Sequence, residues 1–503
     1  MSTTPLTADL PLRLAERRPR VVVLGDAILD GWLSGECRRL CREAPAPVLE
    51  VRSDACAPGG AGNSAANLAA LGAVADLVTV VGDDEDGRRL TAALRDCGVS
   101  TSGVLVEPGR RTVAKRRLVA GEQLVARLDE GDVGPPRRRT RELVDLVLRR
   151  AAEADAILVA DYGLGVCCQE VLDALRDHRD ELPPLVVDAH DLRPWARVRP
   201  DLVTPNASEA AALLGDGTGE DLAPSTDPHQ AERRVAAVER ARAELLLACG
   251  AGAAVVTLDR VGAVLLVGPD PEEHPAHRTW AEPAPESHAN GAGDTFVSAM
   301  TAAVAAGLPL ATAVELAQLA ADVVVRRPAT SVCTAAELAE RLGRNGPVDP
   351  EHLARLVAEH RAAGRRIVFT NGCFDVLHRG HVAYLNQAKR LGDVLVVAVN
   401  DDEGVARLKG PDRPVNPAVD RAAVLAALSC VDHVVVFPED TPAALLERLR
   451  PDVYVKGGDY TPEMLAEAGL VRRLGGEVRI LDYVPDHSTS AVIARIRAGE
   501  AVR

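Results

Sequence analysis

Two short strings in this 503-residue chain carry residue types able to handle phosphate. In ANGAGDTF, residues 289–296, a Gly291-Ala292-Gly293 turn leads into an expected helix. Such a turn exposes backbone N–H groups at the positive end of the helix dipole, which suits a transferring phosphate. Asp294 follows at that mouth, placed to take a proton from an attacking hydroxyl. In TNGCFDVLHRGHVAYL, residues 370–385, a strand ends in a small turn and His378 and His381 fall three apart at the start of a helix. That spacing sets both imidazoles on one face near the helix N-terminus, where two donors can stabilise charge as pyrophosphate leaves. A metal pair is the rival reading, but no acidic or Cys partner follows at suitable spacing.

A Gly-rich turn alone is also an ordinary helix cap, so its company decides. GDAILD puts Asp26 and Asp30 at the carboxyl end of the first expected strand, where open α/β sheets bind ligands. APGGAGNSAAN, residues 57–67, sets small-residue turns ahead of a helix with Asn63 as a polar reader. TPNASE, residues 204–209, follows a strand and offers Asn206 and Glu209 for water-mediated contacts to magnesium and phosphate.

These strings need a scaffold, and the hydropathy pattern supplies one. Apolar runs at 21–25, 77–82, 156–161, 185–188 and 253–258 alternate with helical stretches rich in Ala, Leu and Arg. Buried strands alternating with helices indicate a parallel α/β architecture. The pattern breaks at GRNGPVDP, residues 343–350, where Asp349 and Pro350 read as the start of a new helix. It restarts with strands at 365–370, 393–400, 433–437, 453–458 and 478–481. The expected division is therefore 1–340, a linker 341–350, and a smaller α/β domain 351–503.

The net charge of −15 argues against a nucleic-acid partner, since duplex affinity rests on basic residues neutralising phosphates. No run approaches the roughly 18 apolar residues of a membrane span, and the opening residues lack an apolar core of signal-peptide length, so a cytoplasmic location is expected. Ten cysteines without a CxxC pair predict neither a disulfide framework nor a zinc ribbon.

Taken together, GDAILD, the 57–67 turn, TPNASE and GAGD resemble the ribokinase-like carbohydrate kinases over roughly residues 20–335. REAPAPVLEV, KRRLVAGEQLVARLDE and DYGLG narrow the resemblance to heptose-7-phosphate kinases. The resemblance implies that Asp26, Gly59, Gly60 and Asn63 hold sugar hydroxyls, and that Lys115, Arg117 and Arg127 meet the substrate's own phosphate. It further implies that Asn206, Ala207, Ser208, Glu209, Gly291, Ala292 and Gly293 bind ATP and its phosphates, that Glu209 reaches Mg2+ through water, and that Asp294 is the base. Two departures stand out. His288 and Asn290 occupy places where the family has an acidic residue and Thr, which leaves dependence on a monovalent cation open, and DAHD at 188–191 stands where heptose kinases favour a Lys after Asp-Pro.

The second string is similar to the HxGH nucleotidyltransferases, whose fold is Rossmann-like. By that resemblance Thr370, Asn371, Gly372 and Phe374 form a phosphate cradle, Lys409 and Arg421 bind phosphates, Lys456 in VKGGDY lines the nucleotide pocket, and Ser488, Thr489 and Ser490 open a last phosphate-binding helix. RPVNP together with VKGGDY resembles adenylyltransferases acting on heptose 1-phosphate. The order of the two halves resembles the bifunctional heptose-7-phosphate kinase and heptose-1-phosphate adenylyltransferase family. That implies ATP as substrate of both halves, Mg2+ at both, a separate phosphatase between the two steps, and a homo-oligomer.

Overall fold

The computed structural model describes residues 6–121, 123–215, 222, 228–282, 291–327, 331–345, 348–457 and 465–481. The chain divides into two compact units, Pro11–Leu338 with the first five residues, and Ala339–Arg503 with Leu6–Leu10.

The first unit is built on a nine-stranded sheet in the order β13-β12-β11-β10-β9-β8-β1-β4-β5. Its strands are β1 (Arg20–Gly25), β4 (Val74–Gly82), β5 (Ser100–Glu107), β8 (Ala156–Asp161), β9 (Leu185–Ala189), β10 (Leu202–Val203), β11 (Ala253–Thr257), β12 (Ala263–Val267) and β13 (His277–Thr279). All pairings are parallel except those of β12 and β13. Near-continuous Val, Leu, Ile and Ala make these strands, because helices cover a parallel sheet on both faces. β1 pairs with β4 on one side and β8 on the other, so the strand order reverses there and ligands are expected beyond the carboxyl ends.

A second sheet, order β3-β2-β6-β7, is made by β2 (Ala27–Leu40), β3 (Pro47–Gly60), β6 (Ala114–Ala120) and β7 (Gln123–Glu130). The sequence reading did not foresee it, because its strands carry polar residues on both faces and lack a clear alternation. It also relocates Asp30, which sits in β2 of this sheet instead of at the end of β1.

The second unit holds five parallel strands, β14 (Ile367–Gly372), β15 (Val394–Asn400), β16 (His433–Phe437), β17 (Val453–Gly457) and β18 (Glu477–Leu481), in the order β16-β15-β14-β17-β18. One face packs Phe369, Tyr454 and Val396 against Leu353, Leu446 and Val357; the other packs Val368, Val397 and Val455 against Tyr384, Leu385 and Leu425. The helix Ala335–Asn345 covers the first part of the expected linker, and the next helix, Pro350–Ala362, starts where the sequence placed it. Asp349 caps that helix by accepting from the amides of Glu351 and His352 at 2.9 and 3.1 Å.

Near the start of β16, His433 Nε2 lies 3.0 Å from His360 Nε2. Burial first, and then the neighbouring His360, push His433 down to about 4, and His360 is lowered too, mainly by burial. A histidine with a folded pKa below its unfolded value near 6.5 adds stability that is complete above the unfolded pKa and is lost as pH falls towards the folded one. Thermal denaturation of the wild type should therefore shift down between about pH 6.5 and pH 4, and His433→Gln should reduce that slope by about 4 °C across the window. An unchanged slope in the variant would refute the assignment.

Candidate active sites at the carboxyl ends of two sheets

In the first unit, the loops after β8, β9 and β10 and the helix Ala292–Ala305 enclose an open cavity of about 590 Å3 lined by Asp161, Tyr162, Asp188, His190, Asn206, Glu209 and Asp294, among others. Gly291 caps that helix at φ 80°, a left-handed conformation that glycine adopts without a Cβ penalty. The turn aims the first helical amides, from Ala292 and Gly293 onward, into the space beside Asp294. Asn63 Nδ2 donates to Asp294 Oδ2 at 2.6 Å, and the Tyr162 hydroxyl donates to Oδ1. Burial raises Asp294 above the ordinary carboxylate range, with these two donors pulling the other way. A carboxylate so poised is a competent general base.

The register of the second sheet gathers the expected phosphate readers. Lys115 pairs with Asp30 and Asp129, and Arg117 with Trp32 and Arg127, so Lys115, Arg117 and Arg127 share one face. Arg117 Nη1 donates to Asp30 Oδ1 at 2.8 Å and its guanidinium lies 5.3 Å from the Trp32 ring. Lys115 Nζ is 5.9 Å from the Tyr162 ring. Arg127 is exposed and engaged with Asp129 at 2.9 Å. Gly59 and Gly60 close β3, and a Cβ on Gly59 would meet Asp30 Oδ2 at 2.3 Å, so glycine admits the carboxylate.

Several of the expected site residues also hold the scaffold. Asp26 is 2% exposed and accepts the backbone N–H groups of Tyr162, Leu164 and Val166 at 2.9–3.0 Å, so it holds the loop that follows β8. The charge of Asp30 reaches Asp294 and adds to its upward shift. Asn206 and Glu209 form a capping box on the helix Ala207–Leu214: Asn206 Oδ1 accepts from the amides of Ser208 and Glu209, Glu209 Oε2 accepts from the Asn206 amide, and Glu209 Oε1 meets His190 Nδ1 at 2.8 Å. Each oxygen of Glu209 thus takes one partner within the fold and keeps a second lone pair. The Thr204 hydroxyl donates to Asp188 at 2.8 Å, while burial and then Asp294 push Asp188 up to about 7. His288 and Asn290 lie outside the described residues.

In the second unit, β14 ends in the turn that carries Phe374 at φ 46°. His378 caps the helix Arg379–Lys389, and the rings of His378 and His381 stand 3.9 Å apart, with Phe374 5.4 Å from His381. His381 Nδ1 is buried without a hydrogen-bond partner among the described residues. Burial, then His378, lowers His381 to about 4. Lys456 reaches from β17 to the Asn371 carbonyl at 3.2 Å. Lys409, Arg421 and Lys456 all act on the Cys373 thiol, which burial nonetheless pushes up. Gly372 lies against the Phe374 ring.

Thr370, expected in the cradle, and Arg421, expected to bind phosphate, both make bonds within the fold. The Thr370 hydroxyl is buried and bonded to the Tyr384 hydroxyl at 2.6 Å, which itself donates to the Val455 carbonyl. Arg421, 2% exposed, ties Asn416, Cys373 and Asp402 together behind the turn. Asp375, which the motif reading passed over, accepts from the amides of Val415 and Asn416 and pairs with Arg413, holding the RPVNP loop. Lys409 is exposed at the end of the helix Asp402–Lys409. Ser488, Thr489 and Ser490 lie outside the described residues.

Two such sites on one polypeptide define a sugar-kinase fold joined to a nucleotidyltransferase fold. The pfkB family carbohydrate kinase model matches residues 18–337, and the cytidylyltransferase-like model matches residues 369–495. Phosphofructokinase-2 from Escherichia coli, in complex with substrates and products, shares the first fold with a TM-score of 0.51 and 19% identity, covering 64% of this chain and 98% of that one. Among curated relatives, the bifunctional protein HldE of Chromohalobacter salexigens is 41% identical over 491 residues, covering 95% of this chain and 97% of its own. That of Alkalilimnicola ehrlichii is 40% identical over 496 residues, covering 95% and 97%. The chain belongs to the bifunctional HldE family, and it is a bifunctional kinase and nucleotidyltransferase. No helix among the described residues is long and apolar enough to cross a membrane.

Proposed function

We propose that the first unit transfers the γ-phosphate of ATP to the anomeric hydroxyl of D-glycero-β-D-manno-heptose 7-phosphate, and that the second joins heptose 1-phosphate to AMP from ATP, giving ADP-heptose and pyrophosphate. The observation that carries the first half is the Asp294 carboxylate at a helix N-terminus, with the Lys115–Arg117 face of the second sheet nearby. Asp294 takes the proton as the anomeric oxygen attacks the γ-phosphorus and ADP leaves. The amides of the Gly291–Gly293 turn receive the transferring phosphoryl group, and Lys115 and Arg117 hold the substrate's 7-phosphate. Mg2+, when bound with the nucleotide, neutralises triphosphate charge.

In the second half, an oxygen of the sugar 1-phosphate attacks the α-phosphorus of ATP while His378, His381 and Lys456 stabilise the charge that builds up there. A separate phosphatase must remove the 7-phosphate between the two steps, because the kinase product carries both phosphates. Cytoplasmic residence and assembly into a homo-oligomer belong to the same reading.

Incubation of the full chain with heptose 7-phosphate and ATP, with and without a phosphatase, followed by mass spectrometry, tests it. The bisphosphate should appear alone without phosphatase, and ADP-heptose only with it; equal turnover of hexose phosphates would sink the heptose assignment. Arg117→Ala should raise KM for heptose 7-phosphate by about 10-fold with kcat little changed, the signature of a charge-assisted contact present equally in ground and transition states. Steady-state kinetics of ADP release check this.

A further inference from the structure

Tyr162 has no role assigned so far, yet it lines the kinase cavity. Its hydroxyl donates to Asp294 Oδ1, opposite the Asn63 donor on Oδ2. Its ring is wedged between Lys115, whose ammonium is 5.9 Å from the ring centre, and His190, edge-on at 5.1 Å. Its backbone is anchored from behind: the amides of Tyr162, Leu164 and Val166 all converge on the buried Asp26 carboxylate at 2.9–3.0 Å. The adjoining Asp161 is fixed in turn, its Oδ2 accepting from Trp195 Nε1 at 2.9 Å and its Oδ1 from the Gly163 amide at 3.0 Å.

We infer that Tyr162 is a positioning residue of the kinase reaction, its phenol orienting the Asp294 carboxylate and the Asp26 clamp orienting the phenol. The inference rests on the reading of Asp294 as base.

The geometry separates two tasks that one carboxylate must reconcile. Asp294 has to keep one oxygen lone pair aimed at the acceptor hydroxyl, and it has to accept the proton without turning away. Donors on both oxygens fix its plane, and each carboxylate oxygen keeps a second lone pair for substrate. Tyr162 itself is pushed far up by burial and by Asp294, so it stays a donor across the working pH range. The other charged or titratable groups that act on this pair are Asp30, Asp188 and His190, with Lys115 over the Tyr162 ring.

The test compares wild type, Tyr162→Phe and Asp26→Asn in the full chain, with ADP release measured against pH and adenylyl transfer by the same molecules as the folding control. Tyr162→Phe keeps the ring and deletes only the donor, so kcat should fall about 10-fold with KM for the sugar phosphate within about twofold. Loss of a donor to the ionised carboxylate raises the pKa of Asp294, so the acid limb of the kinase profile should move up by about one pH unit. Asp26→Asn weakens the clamp and should give the same signature in smaller degree; a rise in KM with kcat intact would instead mark Asp26 as a sugar contact and overturn the clamp. Wild-type kcat and an unmoved acid limb in Tyr162→Phe would overturn the role of Tyr162, whatever Asp26→Asn does. If the wild type prefers another sugar phosphate, the substrate reading fails, while the ratio of variant to wild type on that sugar still decides the role of Tyr162.

Discussion

Asp294→Asn should lower ADP formation by about 10^2–10^4-fold, the range expected when a positioned general base is removed, while adenylyl transfer by the same chain stays at the wild-type rate. The amide keeps the shape of the side chain; its oxygen can still accept from Asn63, and the Tyr162 hydroxyl can turn to accept from its NH2, so the cavity should persist. What is lost is the proton acceptor. The pH dependence gives an independent check. Burial holds Asp294 above the ordinary carboxylate range, and the reaction needs it ionised, so the wild-type rate should fall with decreasing pH at values above those of an unperturbed aspartate. Asp188, pushed up to about 7 partly by Asp294, can take part in this limb, and the profile then reports the pair. Coupled ATP assays across pH 4–9 on both proteins measure it. Equal rates for Asp294→Asn and wild type would remove the kinase role.

His378→Ala and His381→Ala should each lower adenylyl transfer by about 10^2–10^3-fold, the cost typical of losing one preorganised donor at a site of developing charge. ADP release by the kinase half should remain unchanged. The buried, low-pKa environment of His381 adds a sharper expectation. A neutral imidazole donates through one N–H and does not titrate between pH 6 and 8, so the transferase rate should be flat there with respect to this group. A catalyst that required an imidazolium would instead lose rate as pH rose through about 6.5. Pyrophosphate release against pH distinguishes the two.

Much of this is legible in the sequence. Strands buried on both faces announce themselves as apolar runs, so the ten runs read from the sequence all correspond to strands of the two large sheets. Asp349–Pro350 marked a helix start because capping chemistry is local. The His378–His381 contact was legible for the same reason, since a spacing of three along one helix suffices to bring the rings together.

What the sequence by itself determined is therefore what local periodicity and short motifs can encode: two α/β units, a carboxylate at a helix mouth, and the paired imidazoles. Only the tertiary structure decided which polar side chains bond within the scaffold. Asp26 turned inward to three amides of a loop some 136–140 residues away, and Arg421 turned to the Cys373 carbonyl 48 residues away. A buried polar group must be satisfied wherever the fold brings partners to it, and no local pattern records partners so distant in the chain. The second sheet was hidden for a related reason. Its strands are polar on both faces, and only their pairing register collects Lys115, Arg117 and Arg127 on one face beside Asp30.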